Sequence, residues 1–205
     1  MSRSEPMIPA VKDGKEKEQT YRKNIDNFNK ARKSGFYYQC LWIVYAMAED
    51  RTSALLYYLG FTNADRRKVT GTKRIKKDIR EIFGIGDNKK YSFDSMRGKV
   101  TRIHELMDWS RGSHDGLSEY RAAVQDCVTS VLAEDEKFCR AMDYLSREWI
   151  EKRNELVHAL FNKKSELAES ELEALVEASY AAVRDIDNAV GRLKRKNLRK
   201  KFKIQ

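Results

Sequence analysis

Residues 36–59 read FYYQCLWIVYAMAEDRTSALLYYL. From Phe36 to Ala48 the apolar side chains fall nearly all round a helical wheel, the pattern of a helix buried on most of its surface. Glu49, Asp50 and Arg51 cut the run well short of the roughly 20 residues that span a bilayer. The stretch therefore reads as the central helix of a globular core, with no membrane span. Gly60 supplies a stop, and Thr62 or Asn63 is placed to cap a following helix.

The flanking sequence supports an all-α protein. The two prolines are Pro6 and Pro9, so nothing of that kind interrupts the backbone from residue 10 onward. Between Lys15 and Lys33, the residues Tyr21, Ile25, Phe28 and Ala31 form a helical stripe that Gly35 terminates. Val100, Ile103, Leu106 and Met107 give Met96–Trp109 the same spacing. From Leu117 to Phe161 one or two helices are expected, broken near Ala133–Glu136, with Leu145, Trp149, Leu156, Leu160 and Phe161 as core positions. A last helix runs from about Ser165 to Leu193, its acidic N-terminal part and basic C-terminal flank both suiting the helix dipole. No internal repeat is evident. At 205 residues the chain has room for one core. The expected layout is a flexible arm over 1–14, an up-and-down bundle of long antiparallel helices over 15–193, and a basic tail over 194–205 that extends into solvent.

Forty-one Lys and Arg against 31 Asp and Glu leave a formal charge of +10. Such an excess favours a polyanionic partner. Two clusters carry most of it. Residues 64–83 hold eight basic side chains, among them Arg66, Arg67, Lys73, Arg74, Lys76 and Lys77. Residues 192–205 hold eight more and no acid, among them Lys194, Arg195, Lys196, Arg199, Lys200 and Lys201. At least one of them is expected to contact RNA phosphates, the alternative being ordinary solvated faces and a solubilising tail. Tyr91 and Phe93 lie among cations, where they either stack on bases or pack inward. Cys40, Cys127 and Cys139 are odd in number and lack a CxxC spacing, which argues against a disulfide framework and for a reducing, cytoplasmic setting. The N-terminus has no apolar run of the secretory kind, so the mature chain is expected to start there.

The sharpest motif is Arg153-Asn154-Glu155-Leu156-Val157-His158. At about 100° per residue Asn154 and His158 share a face, about 40° apart, while Arg153 lies roughly 140° from His158. One copy cannot set all three in a narrow stripe, but two copies across a two-fold axis can direct them at one seam. The groups suit RNA cleavage by its own 2′-OH. A histidine titrates near neutrality and serves as base or acid, and a guanidinium binds phosphate oxygens at two points where Lys would serve poorly. Asn154 would orient His158 or hold a sugar or phosphate oxygen.

An Arg, a polar residue and a His four to six positions after the Arg, near the end of a bundle helix, resembles the signature of the HEPN superfamily. The resemblance rests on Arg153, Asn154 and His158, with about 120 surrounding helical residues in agreement. It implies a homodimeric helical bundle whose motif helices meet in a composite RNA cleft. It implies metal-independent endoribonuclease activity, no cofactor, and products ending in 2′,3′-cyclic phosphate. It also implies a toxin or anti-phage defence role, with an antitoxin or activating partner. Glu49 is a candidate acidic helper. The alternative is a catalytically silent helical module that binds nucleic acid or a protein, with Arg153 tied up by Glu151 or Glu155.

Other spacings point to structure. His104-Glu105-Leu106-Met107-Asp108 has Asp where a zinc-binding HExxH helix needs its second His. Ser113-His114-Asp115 reads as a turn, and Gly84-x-Gly86 as a loop without the remaining glycine or lysine of a phosphate-binding motif.

Overall fold

A computed structural model of the chain describes residues 14–63, 70–86, 93–162 and 169–204; for residues 14, 15, 17, 157–162 and 169 the description stops at the backbone. The described residues form helices throughout: α1 (Gly14–Lys33), α2 (Tyr37–Tyr58), α3 (Lys73–Ile82), α4 (Met96–Arg111), α5 (Glu119–Val128), α6 (Glu136–Tyr144), α7 (Ile150–Asn162), α8 (Glu169–Lys196) and the short α9 (Leu198–Lys201). Thus the all-α bundle read from the sequence is present. Among the described residues no helix is long and apolar enough to cross a membrane.

α2 is the central element, running along α8 and flanked by α1 and α4. Cys40, Leu41, Val44, Met47, Ala48, Leu55 and Leu56 are buried on it. Thr52 and Ser53 are buried too, at a cost their hydroxyls offset by donating to the Ala48 and Glu49 carbonyls at 2.9 and 2.7 Å. α8 answers with Leu172, Val176, Val183, Ile186, Ala189, Val190 and Leu193. The helix ends follow local chemistry. At the end of α2, Gly60 takes φ +88, its N–H bonds Tyr57 O and the Phe61 N–H bonds Leu56 O, a Schellman closure. α3 is capped by Thr72, whose hydroxyl accepts from Ile75 N–H, while the capping role read for Thr62 or Asn63 falls on residues outside the described ones. Residues 64–69 lie outside the described residues; residues 70–72 are not helical, Gly71 taking φ +100, and the helix α3 begins at Lys73.

Between Leu117 and Phe161 the chain breaks at the expected place, and in a manner the periodicity did not foretell. Two π-helical turns, Thr129–Ala133 and Leu145–Trp149, interrupt the ladder. The second wider turn bonds i to i+5, which lets Leu145 and Ile150 point to one side, and Leu145, Trp149 and Ile150 are all buried. The first is clasped from outside: Arg192 of α8 donates to Val131 O at 3.0 Å and pairs with Asp135, whose carboxylate caps α6 at Lys137 and Phe138 N–H.

The basic tail departs from expectation. It does not extend into solvent: α8 continues to Lys196, Asn197 turns in the left-handed region, and α9 packs back onto the bundle with Leu198, Arg199 and Ile204 buried. Its apolar residues, Leu198, Phe202 and Ile204, are few but spaced to reach one surface.

Candidate active site

The motif sits at the start of α7, immediately after the π-turn that ends at Trp149. Trp149 is fully buried and stacks on Tyr45 of α2, ring centroids 5.7 Å apart. This stack fixes where α7 leaves the core. One helical turn on, the Arg153 guanidinium lies 4.3 Å from the Tyr45 ring centroid and 5.4 Å from that of Trp42. Its Nη1 donates to the Asn154 side-chain oxygen at 2.9 Å. Among the described residues Arg153 makes no salt bridge. Glu151, a suggested neutralising partner, faces Arg97 of α4 at 3.8 Å instead. The half-buried guanidinium is thus held against two aromatic faces.

The backbone of His158 lies in the same uninterrupted helix, about 6 Å further along the axis from Asn154. Its side chain lies outside the described residues. Glu49, the suggested helper, lies one turn beyond Tyr45 on α2 and pairs with Lys99 of α4 at 3.1 Å. The Lys99 side chain is 6% exposed against 40% for Glu49, so the carboxylate's first task is to compensate a buried ammonium. It is not seen against Arg153, and the His158 side chain that it was also expected to approach lies outside the described residues.

Sequence reasoning missed Trp42 and Tyr45, which carry Arg153. They occur at i and i+3 on α2, with Glu49 at i+7, a stripe directed toward α4 and α7. The available signal was Trp42, a large apolar side chain left 54% exposed.

Of the residues assigned to nucleic acid, Lys73, Arg74, Lys76 and Lys77 are exposed on α3, and Lys194, Arg195, Lys196, Lys200 and Lys201 are exposed near the C-terminus. Arg66 and Arg67 lie outside the described residues, as does Tyr91. Arg199 is a correction: 8% exposed, it donates to Thr62 O at 2.6 Å and lies over the Tyr57 ring, so it holds the fold and is not free to meet phosphate. Phe93 is fully buried, edge-on to Phe83, and stacks on no base.

His114 stacks on Trp109 and bonds its carbonyl at 2.7 Å, closing the end of α4. Glu105 pairs with Arg102. Among the described residues no group of His, Cys, Asp and Glu is arranged to hold a metal ion. A groove of about 760 Å³ runs between α1, α2 and α8, away from the motif. In its lining Arg51 pairs with Asp50 and Asp187, and Arg192 with Asp135. Burial outweighs the pull of Arg51 on Tyr21 in this groove and pushes its hydroxyl up to about 12.

No protein-family description, curated protein or solved structure matches the chain.

Proposed function

We propose that the protein is a HEPN-type, metal-independent endoribonuclease that cleaves RNA by 2′-OH attack. Arg153 would hold the scissile phosphate, His158 would move the proton, and Asn154 would keep the guanidinium in position. The observation that carries this reading is the state of Arg153. It is cationic, anchored on Tyr45 and Trp42, and unmatched by any carboxylate among the described residues.

The active form would be a homodimer. Trp42 and Ala46 are exposed on the α2 face beside Arg153. A second copy packed there would cover this apolar strip and bring two motif helices to one seam. A toxin or defence role, with an antitoxin or activator covering the same face, follows from the family resemblance alone.

The second reading, a silent binding module, is favoured by one feature: the Asn154 oxygen is already occupied by Arg153. Cleavage of mixed RNA in EDTA separates the two. Wild type is expected to cut, while Arg153→Ala and His158→Ala lose about 10²-fold or more in rate. Arg153→Lys should remain poor, because a point charge does not replace the planar fork. Equal inactivity of all the proteins, with intact helical spectra, would favour the binder.

A further inference from the structure

The basic segments at 73–77 and 194–203 are far apart in sequence, yet both converge on residues 59–62 at the C-terminal end of α2. On one side, Thr70 N–H donates to Phe61 O at 3.3 Å, returning the chain to α2 just before Thr72 opens α3. On the other, Arg199 bonds Thr62 O and covers Tyr57, and Ile204 packs so closely on Gly60 that an added Cβ would lie 2.5 Å from its Cδ1. Tyr120 joins the two, donating to Leu59 O and meeting Phe202 edge-on.

This folding leaves Lys73, Arg74 and Lys76 exposed on α3, and Lys196, Lys200, Lys201 and Lys203 exposed around α9. None of them is in a salt bridge among the described residues. The nearby acids are spent: Asp78 and Glu81 face Arg121, and Glu81 is also the 3.8 Å partner of Lys77.

We propose that this end of the bundle is one composite docking surface for a nucleic-acid phosphate backbone, built by the inward clasp of Arg199. It would anchor the RNA at a distance from the cutting site. Tyr57 under Arg199 and Tyr45 under Arg153 stand 12 residues apart on α2, about 18 Å of helix rise. The identification of the polyanion as RNA rests on the nuclease reading; the surface itself does not. An anionic membrane is the poorer fit, because surface binding pairs basic residues with inserted apolar ones. Here Phe202 and Ile204 are turned inward, and the exposed Phe36 and Trp42 belong to the N-terminal half of α2.

The test is fluorescence anisotropy of the full chain with a labelled 2′-O-methyl RNA hairpin, which cannot be cut by 2′-OH attack, across a KCl series. Two charge-reversal triples are compared with wild type: Lys73→Glu, Arg74→Glu, Lys76→Glu on α3, and Lys196→Glu, Lys200→Glu, Lys201→Glu at the C-terminus. All six side chains are exposed, and circular dichroism verifies the fold. Each triple should weaken binding about tenfold or more and lower the slope of log K against log salt by about 2–3. A control triple on α1 (Lys23→Glu, Lys30→Glu, Lys33→Glu) should do much less. Loss confined to one triple, equal loss from the α1 control, or binding to phosphatidylserine vesicles in place of RNA would overturn the composite surface. RNA held here by a wild type that cuts nothing would end the nuclease reading and leave this surface standing.

Discussion

Arg153 shows how one side chain can be legible as a candidate while its setting is not. Its spacing to His158 is written in six consecutive residues. Its platform, Tyr45 and Trp42, is more than a hundred positions away and becomes visible when α2 and α7 pack. Arg199 shows the reverse: within a strongly basic tail its charge suggested exposure, and its burial came from contacts with Thr62 O and Tyr57 that no local pattern contains. Two glycines give a stability prediction at this scale. Gly60 has φ +88 and Ile204 against its missing side chain, so Gly60→Ala should destabilise by about 1–3 kcal/mol. Gly191 sits inside α8, and a Cβ there meets nothing within 4 Å, so Gly191→Ala should stabilise by about 0.5–1 kcal/mol. Urea unfolding of the two variants checks both signs together.

At the scale of elements, helix existence was readable wherever an apolar stripe had a clear period. In α1 and α4 the expected stripes face the core, because burial of a face is what the period encodes, while the apolar first half of α2 leaves Phe36 and Trp42 exposed. The π-turns were not readable: they answer a tertiary demand, the need to bury Leu145, Trp149 and Ile150 together while carrying the chain into α7. The joint at Thr129–Ala133 depends on Asp135. Burial opposes ionisation of its carboxyl, but hydrogen bonds from Phe138 N–H and Arg192 prevail and hold it below the usual range. A depressed folded-state value means that the contribution is present above the unfolded carboxyl's value near pH 4 and is lost as pH falls through the folded one. Asp135→Ala should cost about 1–2 kcal/mol at neutral pH, through loss of the cap and of Arg192's partner. Asp135→Asn should keep the cap yet flatten the acid limb of a stability-against-pH curve. An acid limb unchanged in the Asn variant would show that other carboxylates set it.

Considered whole, the cations of α3 and α9 lie toward the C-terminal end of α2, and the Arg153 platform lies about 18 Å of helix rise nearer its start, beside an exposed tryptophan. Net charge favours a polyanionic partner, and the fold decides which cations the proposed surface would combine. Assembly belongs to this scale as well. Trp42→Glu places a carboxylate in the proposed seam and beside Arg153, so sedimentation should show a monomer where wild type is a dimer, and RNA cleavage should fall with it. A wild type that sediments as a monomer at every concentration would remove the composite cleft.

The most direct measurement is the chemistry of the RNA ends left by the purified protein in EDTA. Cleavage by an internal 2′-OH, with Arg153 on the phosphate and His158 moving the proton, yields fragments with 2′,3′-cyclic phosphate and 5′-hydroxyl termini, and none from His158→Ala. RNA that stays whole at saturating wild-type protein, or cutting that persists undiminished in Arg153→Ala, contradicts the account.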